Sequence, residues 1–180
     1  MKSIQWESSV AALSIQPPLS IENWLTKPYI LSHALKRHCQ HLVVQVLAQQ
    51  FAAVNVTEQQ LSEQDALPFI RQVFLRGDNI PWTYGRVVIA ASTYQAYFTQ
   101  FASLGSQPLG ETLLYNNPDT TRSGFEYALI TQDTPLYHEI QAYLPLPVSM
   151  LWGRRSYFYL KQFPLLVTEV FLPMIPAFKF

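Results

Sequence analysis

Charge is scarce in this chain. Of 180 residues, 12 are Lys or Arg and 12 are Asp or Glu, together 13%, about half of the ~25% usual for a soluble domain. The two signs cancel, so no basic excess draws the chain to nucleic acid. A single cysteine excludes a disulfide framework within the chain and a thiolate metal cage. Glycine is scarce too, at 6 residues, and neither a G-x-S-x-G nucleophile turn nor a glycine-rich phosphate loop occurs. No window offers the ~20 apolar residues that a membrane-spanning helix needs. The best candidate, 163–178, contains Glu169, Pro164, Pro173 and Pro176. The N-terminal stretch is interrupted by Gln5, Glu7, Ser8 and Ser9 and makes a poor signal peptide. A cytoplasmic, monomeric protein without stable membrane insertion is the expectation.

What is present is apolar and aromatic. Hydrophobic residues make up 49%, with 11 Phe, 10 Tyr and 4 Trp. Such a chain is not disordered, and 20.7 kDa suits one domain spanning 1–180 with one sizeable core.

The 13 prolines supply most of the punctuation. Ser20 is placed to cap a short helix to Leu25, and 29–40 reads as a second helix. Val43, Val44 and Val46 favour a strand over 42–51. Residues 69–76 and 82–91 are β-branched and aromatic and flank Gly77-Asp78-Asn79, which predicts a hairpin. Ser92 or Thr93 can cap a helix to Leu104, and Pro108 opens another helical turn. A strand over 122–131 and a helix from Asp133 or Thr134 to Tyr143 follow. The last hairpin has strands 153–161 and 165–172, joined by Gln162-Phe163-Pro164. About six strands, mostly in hairpins, predict an α+β fold with an antiparallel sheet and helices on one face.

Strand side chains alternate between faces, which sorts the few charges. In the last strand Glu169 shares one face with Leu165, Val167 and Phe171, and the other face is apolar as well. Arg71 shares a face with Phe69, Val73 and Leu75. Arg154 aligns with Phe158 and Leu160, so it is expected inward, with Arg155 on the other side; Arg86 is a weaker case. Two readings stand at this point. Arg71 and Glu169 form an internal salt bridge, or they are two poles of an apolar pocket. In the second, the arginine takes a ligand carboxylate as a bidentate pair and the glutamate meets a hydroxyl or a proton. His33, His38 and His41 cluster in sequence, but no carboxylate or thiolate motif completes a metal site around them.

The segments RGDNIPWTYGRVVIAAST (76–93), QPLGETLLY (107–115) and LWGRRSYFYLKQFPLLVTEVFLP (151–173) together resemble bacterial chorismate lyase. The WGRRS pentad followed by PLLVTE, a hydrophobic residue and FLP is the most specific part, and the likeness covers most of 69–173. The resemblance implies a six-stranded antiparallel sheet with helices on one face and helical flaps over a buried site. It implies conversion of chorismate to 4-hydroxybenzoate and pyruvate for ubiquinone biosynthesis, with no metal or organic cofactor. A pocket this apolar is expected to hold its aromatic product tightly, which predicts product inhibition. Carried over residue by residue, Arg71 holds the ring carboxylate and Glu169 contacts the 4-hydroxyl end. The backbone of Leu109 faces the same hydroxyl. A further backbone contact falls in HALKRH, near Ala34. Arg154 or Arg86 is the candidate for the enolpyruvyl carboxylate. The stretches 30–40 and 92–115 are candidate lids with Gly105 and Gly110 as hinges, and 132–150 resembles an insertion clear of the site. The rival expectations are a non-catalytic sensor of small aromatic acids with the same fold type, and a structural domain with an Arg71–Glu169 bridge.

Overall fold

The computed structural model describes residues 1–179. Seven strands form one antiparallel sheet: β1 (Leu42–Phe51), β2 (Phe69–Gly77), β3 (Ile80–Ile89), β4 (Thr120–Arg122), β5 (Glu126–Thr131), β6 (Met150–Leu160) and β7 (Phe163–Phe171). Their order is β1-β2-β3-β7-β6-β4, with β5 also paired to β6. The helices are α1 (Leu19–Thr26), α2 (Leu31–Lys36), α3 (Ala91–Ala96), α4 (Phe98–Ala102) and α5 (Pro135–Gln141). Short 3-10 turns at Val10–Ala12 and Val56–Leu61 and a π turn at Gly110–Leu114 complete the chain.

The sheet has six positions but seven strands, because the strand expected over 122–131 is broken. Ser123 keeps one backbone bond, its N–H donating to the Tyr157 carbonyl at 2.9 Å, but its hydroxyl rather than its carbonyl accepts the Tyr157 N–H at 2.9 Å. The break frees Phe125 to turn onto Arg154, whose guanidinium carbon lies 4.2 Å from the ring centroid. The β2–β3 hairpin turns at Asp78-Asn79 with φ of 47° and 70°, the doubly positive pattern that matches strand twist. Gly77 precedes it because a Cβ there would overlap the Trp82 ring. The β6–β7 turn is Lys161-Gln162 rather than Gln162-Phe163-Pro164, with Lys161 at φ 59°. Pro164 lies inside β7, where its missing N–H costs nothing because pairing with β3 begins at Leu165.

Helices on one face only is the expectation that fails. Layers α1 to α4 and the π turn cover one face, burying Trp24, Leu35, Val73, Phe171, Leu114 and Phe158. The other face is covered by α5 and the Val56–Leu61 turn, over Phe74, Tyr84, Ile140, Val170, Val88 and Leu166. Strands apolar on both faces need two covers, and the 132–150 segment supplies part of the second. For the same reason Arg154 and Arg155 are both buried, on opposite faces.

Helix ends differ from expectation in small ways. Helix α2 is shorter than 29–40, and the 92–104 helix splits at Tyr97 (φ −118°) into α3 and α4. Neither Ser92 nor Thr93 caps it. The Ser92 hydroxyl donates to Glu63, and the Thr93 hydroxyl to the Pro164 carbonyl at 2.7 Å. Among the described residues no helix is long and apolar enough to cross a membrane.

Candidate active site

Between the sheet and the layer formed by α2 and residues 107–115 lies a pocket of about 780 Å³ of atom-free space, its open mouth included. Strand alternation builds its floor from Arg71, Val73 and Leu75 of β2, Gly85 and Val87 of β3, Ser156 and Phe158 of β6, and Val167 and Glu169 of β7. Leu31, Ser32, Leu109 and Tyr115 line the opposite side. Arg71, Leu109 and Glu169, separated by up to 98 positions in sequence, therefore face one apolar space.

Four arginines are buried: Arg71, Arg86, Arg154 and Arg155. Three have carboxylate partners. Arg86 pairs with Glu58 at 2.9 Å and Glu139 at 2.9 Å. Arg154 Nε pairs with Glu169 Oε2 at 2.6 Å, and Arg155 Nε with Glu126 at 2.7 Å. Arg71, 3% exposed, has no carboxylate among the described residues. Its Nη1 donates to the Gln49 side-chain oxygen at 2.9 Å and its Nη2 to the Gln107 carbonyl at 3.3 Å. Burial disfavours the charges of Arg71, Arg86 and Arg154. For Arg86 and Arg154 the neighbouring glutamates outweigh it and the pKa rises, whereas for Arg71 burial acts alone and the pKa falls. Arginine remains charged, so among the described residues the pocket holds one desolvated cation that no carboxylate contacts. The internal Arg71–Glu169 bridge is absent.

Glu169 is held from behind. Arg154, 2% exposed, is fixed by the Trp24 and Leu25 carbonyls at 3.2 Å each. It is stacked between Tyr29 at 4.5 Å and Phe125 at 4.2 Å. The Glu169 Oε1 atom takes no hydrogen bond from the described residues and is left to the pocket.

The two segments opposite the sheet are tied to each other. Glu111 of the π turn accepts from Ser32 at 2.8 Å and Lys36 at 2.8 Å, and lies 2.9 Å from His33, all on α2. Burial raises the Glu111 pKa, but these donors outweigh it and hold the carboxyl below its usual range.

The family model described as "Chorismate lyase" matches residues 2–178. The chain belongs to the chorismate lyase family. Relatives named "Probable chorismate pyruvate-lyase" include one from Pseudoalteromonas atlantica (strain T6c / ATCC BAA-1087), 32% identical over 98% of this chain and 90% of its own length. Another, from Shewanella loihica (strain ATCC BAA-1088 / PV-4), is 34% identical over 96% of this chain and 89% of its own. A solved structure of the C-terminal domain of histidine utilization repressor from Pseudomonas syringae pv. tomato str. DC3000 has a TM-score of 0.51 at 11% identity. It covers 78% of this chain and 97% of that one, a likeness of fold alone. Family similarity thus reaches well before residue 69, where the likeness carried by the motifs begins.

Within this chorismate lyase family member, two expected residues are not where a ligand carboxylate needs them. Arg86 projects to the opposite face, between Glu58 and Glu139. Arg154 is consumed by Glu169, two carbonyls and two rings. Ala34 is buried in the α1–α2 core and does not line the pocket. His33 meets Glu111, His38 accepts the Lys179 N–H at 3.3 Å, and His41 lies in an exposed turn. The sequence reading missed Gln49, Gln107, Ser32 and Glu111. Neutral glutamines carry no parity anomaly, and Glu111 sits on a polar turn where a charge needs no explanation.

Proposed function

We propose that this chorismate lyase family member converts chorismate to 4-hydroxybenzoate and pyruvate, using no metal or organic cofactor and supplying a benzoate precursor for ubiquinone. The observation that carries this reading is the unpaired, buried Arg71 in a pocket that also presents a free Glu169 oxygen. Arg71 takes the ring carboxylate as a charge-assisted bidentate pair. Glu169 Oε1 and the Leu109 backbone orient the C4 hydroxyl at the other end. The C3–O bond to the enolpyruvyl group breaks, and the C4 proton passes to the departing group, whose methylene becomes the methyl of pyruvate. The electron pair of the C4–H bond completes the aromatic ring. Aromatisation supplies the driving force, so the residues contribute by fixing the reactive conformer. Such positioning is worth up to ~7–11 kcal/mol in favourable intramolecular cases.

Among the lining residues Arg71 is the one cation. One cation and one acceptor match the product's single carboxylate and hydroxyl better than the substrate's two carboxylates. This supports tight product retention, with α2 and residues 107–115 as flaps joined through Glu111, and release as the slow step. The test is to incubate the protein with chorismate and a chelator and follow 4-hydroxybenzoate absorbance and pyruvate. Stoichiometric formation of both supports the lyase. Binding of 4-hydroxybenzoate without turnover would replace it with a small-acid sensor, and neither result would leave a structural domain.

A further inference from the structure

Gln49 would not be expected on the pocket side of β1. Val44 lines the pocket, and simple alternation would keep even-numbered residues on that face. A bulge intervenes. Val46 pairs with Val73, but Ala48 pairs with Gln72 and Gln49 with Arg71, so Leu47 is the extra residue. A bulge re-aims the side chains that follow it. Gln49 is thereby placed opposite Arg71 with its side-chain oxygen 2.9 Å from Nη1. Arginine only donates, so the amide must present its oxygen. The other contact is also an uncharged oxygen, the Gln107 carbonyl. The three other buried arginines all use carboxylates.

We infer that Gln49 is a positioning residue, which fixes the Arg71 guanidinium through a neutral acceptor so that its charge stays available to the carboxylate of the ligand. This rests on the proposed role of Arg71. A carboxylate at position 49 would hold the same nitrogen equally well in geometry, yet it would neutralise the cation before any ligand arrived. An apolar residue would leave the charge free but the fork unfixed. The uncharged amide meets both demands, and the bulge at Leu47 puts it there.

Opposite effects on stability and binding make this testable. In the full chain, Gln49→Glu should raise the melting temperature of the unliganded protein by a few degrees, because it gives a buried cation its counter-ion. The same change should raise the Kd for 4-hydroxybenzoate at least about tenfold. Gln49→Leu should raise that Kd severalfold without raising the melting temperature. Calorimetric titration and thermal melts read both. Wild-type-like affinity in Gln49→Glu, within twofold, overturns the inference. So does a loss of affinity that accompanies a lowered melting temperature in both variants, since that is ordinary structural damage. Failure of the wild type itself to bind 4-hydroxybenzoate would instead strike the proposed function.

Discussion

Replacing Arg71 with leucine should weaken ligand binding and leave the fold intact or firmer. A ligand carboxylate would lose two charge-assisted hydrogen bonds, each worth roughly 1.5–3 kcal/mol. Part is recovered, because wild-type Arg71 must share its donors with Gln49 and Gln107. A net loss of about 3–5 kcal/mol corresponds to a rise in Kd of roughly 150- to 4,000-fold. The unliganded protein responds differently. Arg71 has no carboxylate to strand, Gln49 is exposed and can turn to water, and the guanidinium is buried at 3% exposure. Exchanging that charge for an apolar side chain should be neutral or stabilising by about 1–2 kcal/mol. Titration calorimetry with 4-hydroxybenzoate and urea unfolding measure the two quantities on the same preparations. Affinity within threefold of wild type would refute the reasoning. So would a stability loss of about 3 kcal/mol or more, because the arginine would then be serving the fold.

The other arginine of the pocket region should behave in the opposite way: Arg154→Leu strands Glu169 and two carbonyls, and urea unfolding should show a loss of about 3–5 kcal/mol. Glu111→Gln cuts a partly exposed link, with Lys36 49% and His33 58% exposed; stability should fall by less than ~1 kcal/mol, while product dissociation in stopped-flow fluorescence speeds up severalfold. Burial lowers the His38 pKa, and its Nε2 accepts the Lys179 N–H beside the Trp24 ring. Because the folded pKa lies below the unfolded one, this contribution is complete above ~6.5 and is lost as pH falls. The protection factor of the Lys179 amide, with the intrinsic pH dependence of exchange divided out, should therefore fall on acidification from pH 8 to 5.5, and His38→Gln should flatten that response relative to wild type.

Much of this fold is legible in residue pattern. Val43, Val44 and Val46 predict a strand over 42–51, where β1 lies, and Gly77-Asp78-Asn79 announces the first hairpin. Face assignment from parity places Arg71 and Glu169 towards one space, because both lie on strands without an intervening bulge on the pocket side. Parity does not name partners. It left an Arg71–Glu169 bridge open, and only the register of β6 on β7, with Arg154 opposite Glu169, shows which arginine takes the glutamate. Bulges are where alternation fails. Leu47 hides Gln49, and the break at Ser123-Gly124 hides Phe125, since neither extra residue has a side-chain signature. The second cover of the sheet was readable in principle. Strands apolar on both sides demand it, and the segment 132–150 had to go somewhere.

Scarce charge, on this account, does not mean a pocket lined with ions. Among the described residues the buried ionic groups mostly satisfy one another, and Arg71 is left without a carboxylate partner. The most direct measurement is a crystal structure with 4-hydroxybenzoate bound. The carboxylate should lie on the Arg71 guanidinium, with Gln49 still in place, and the hydroxyl at Glu169 Oε1. A reversed ligand, or one bound away from Arg71, would contradict that placement.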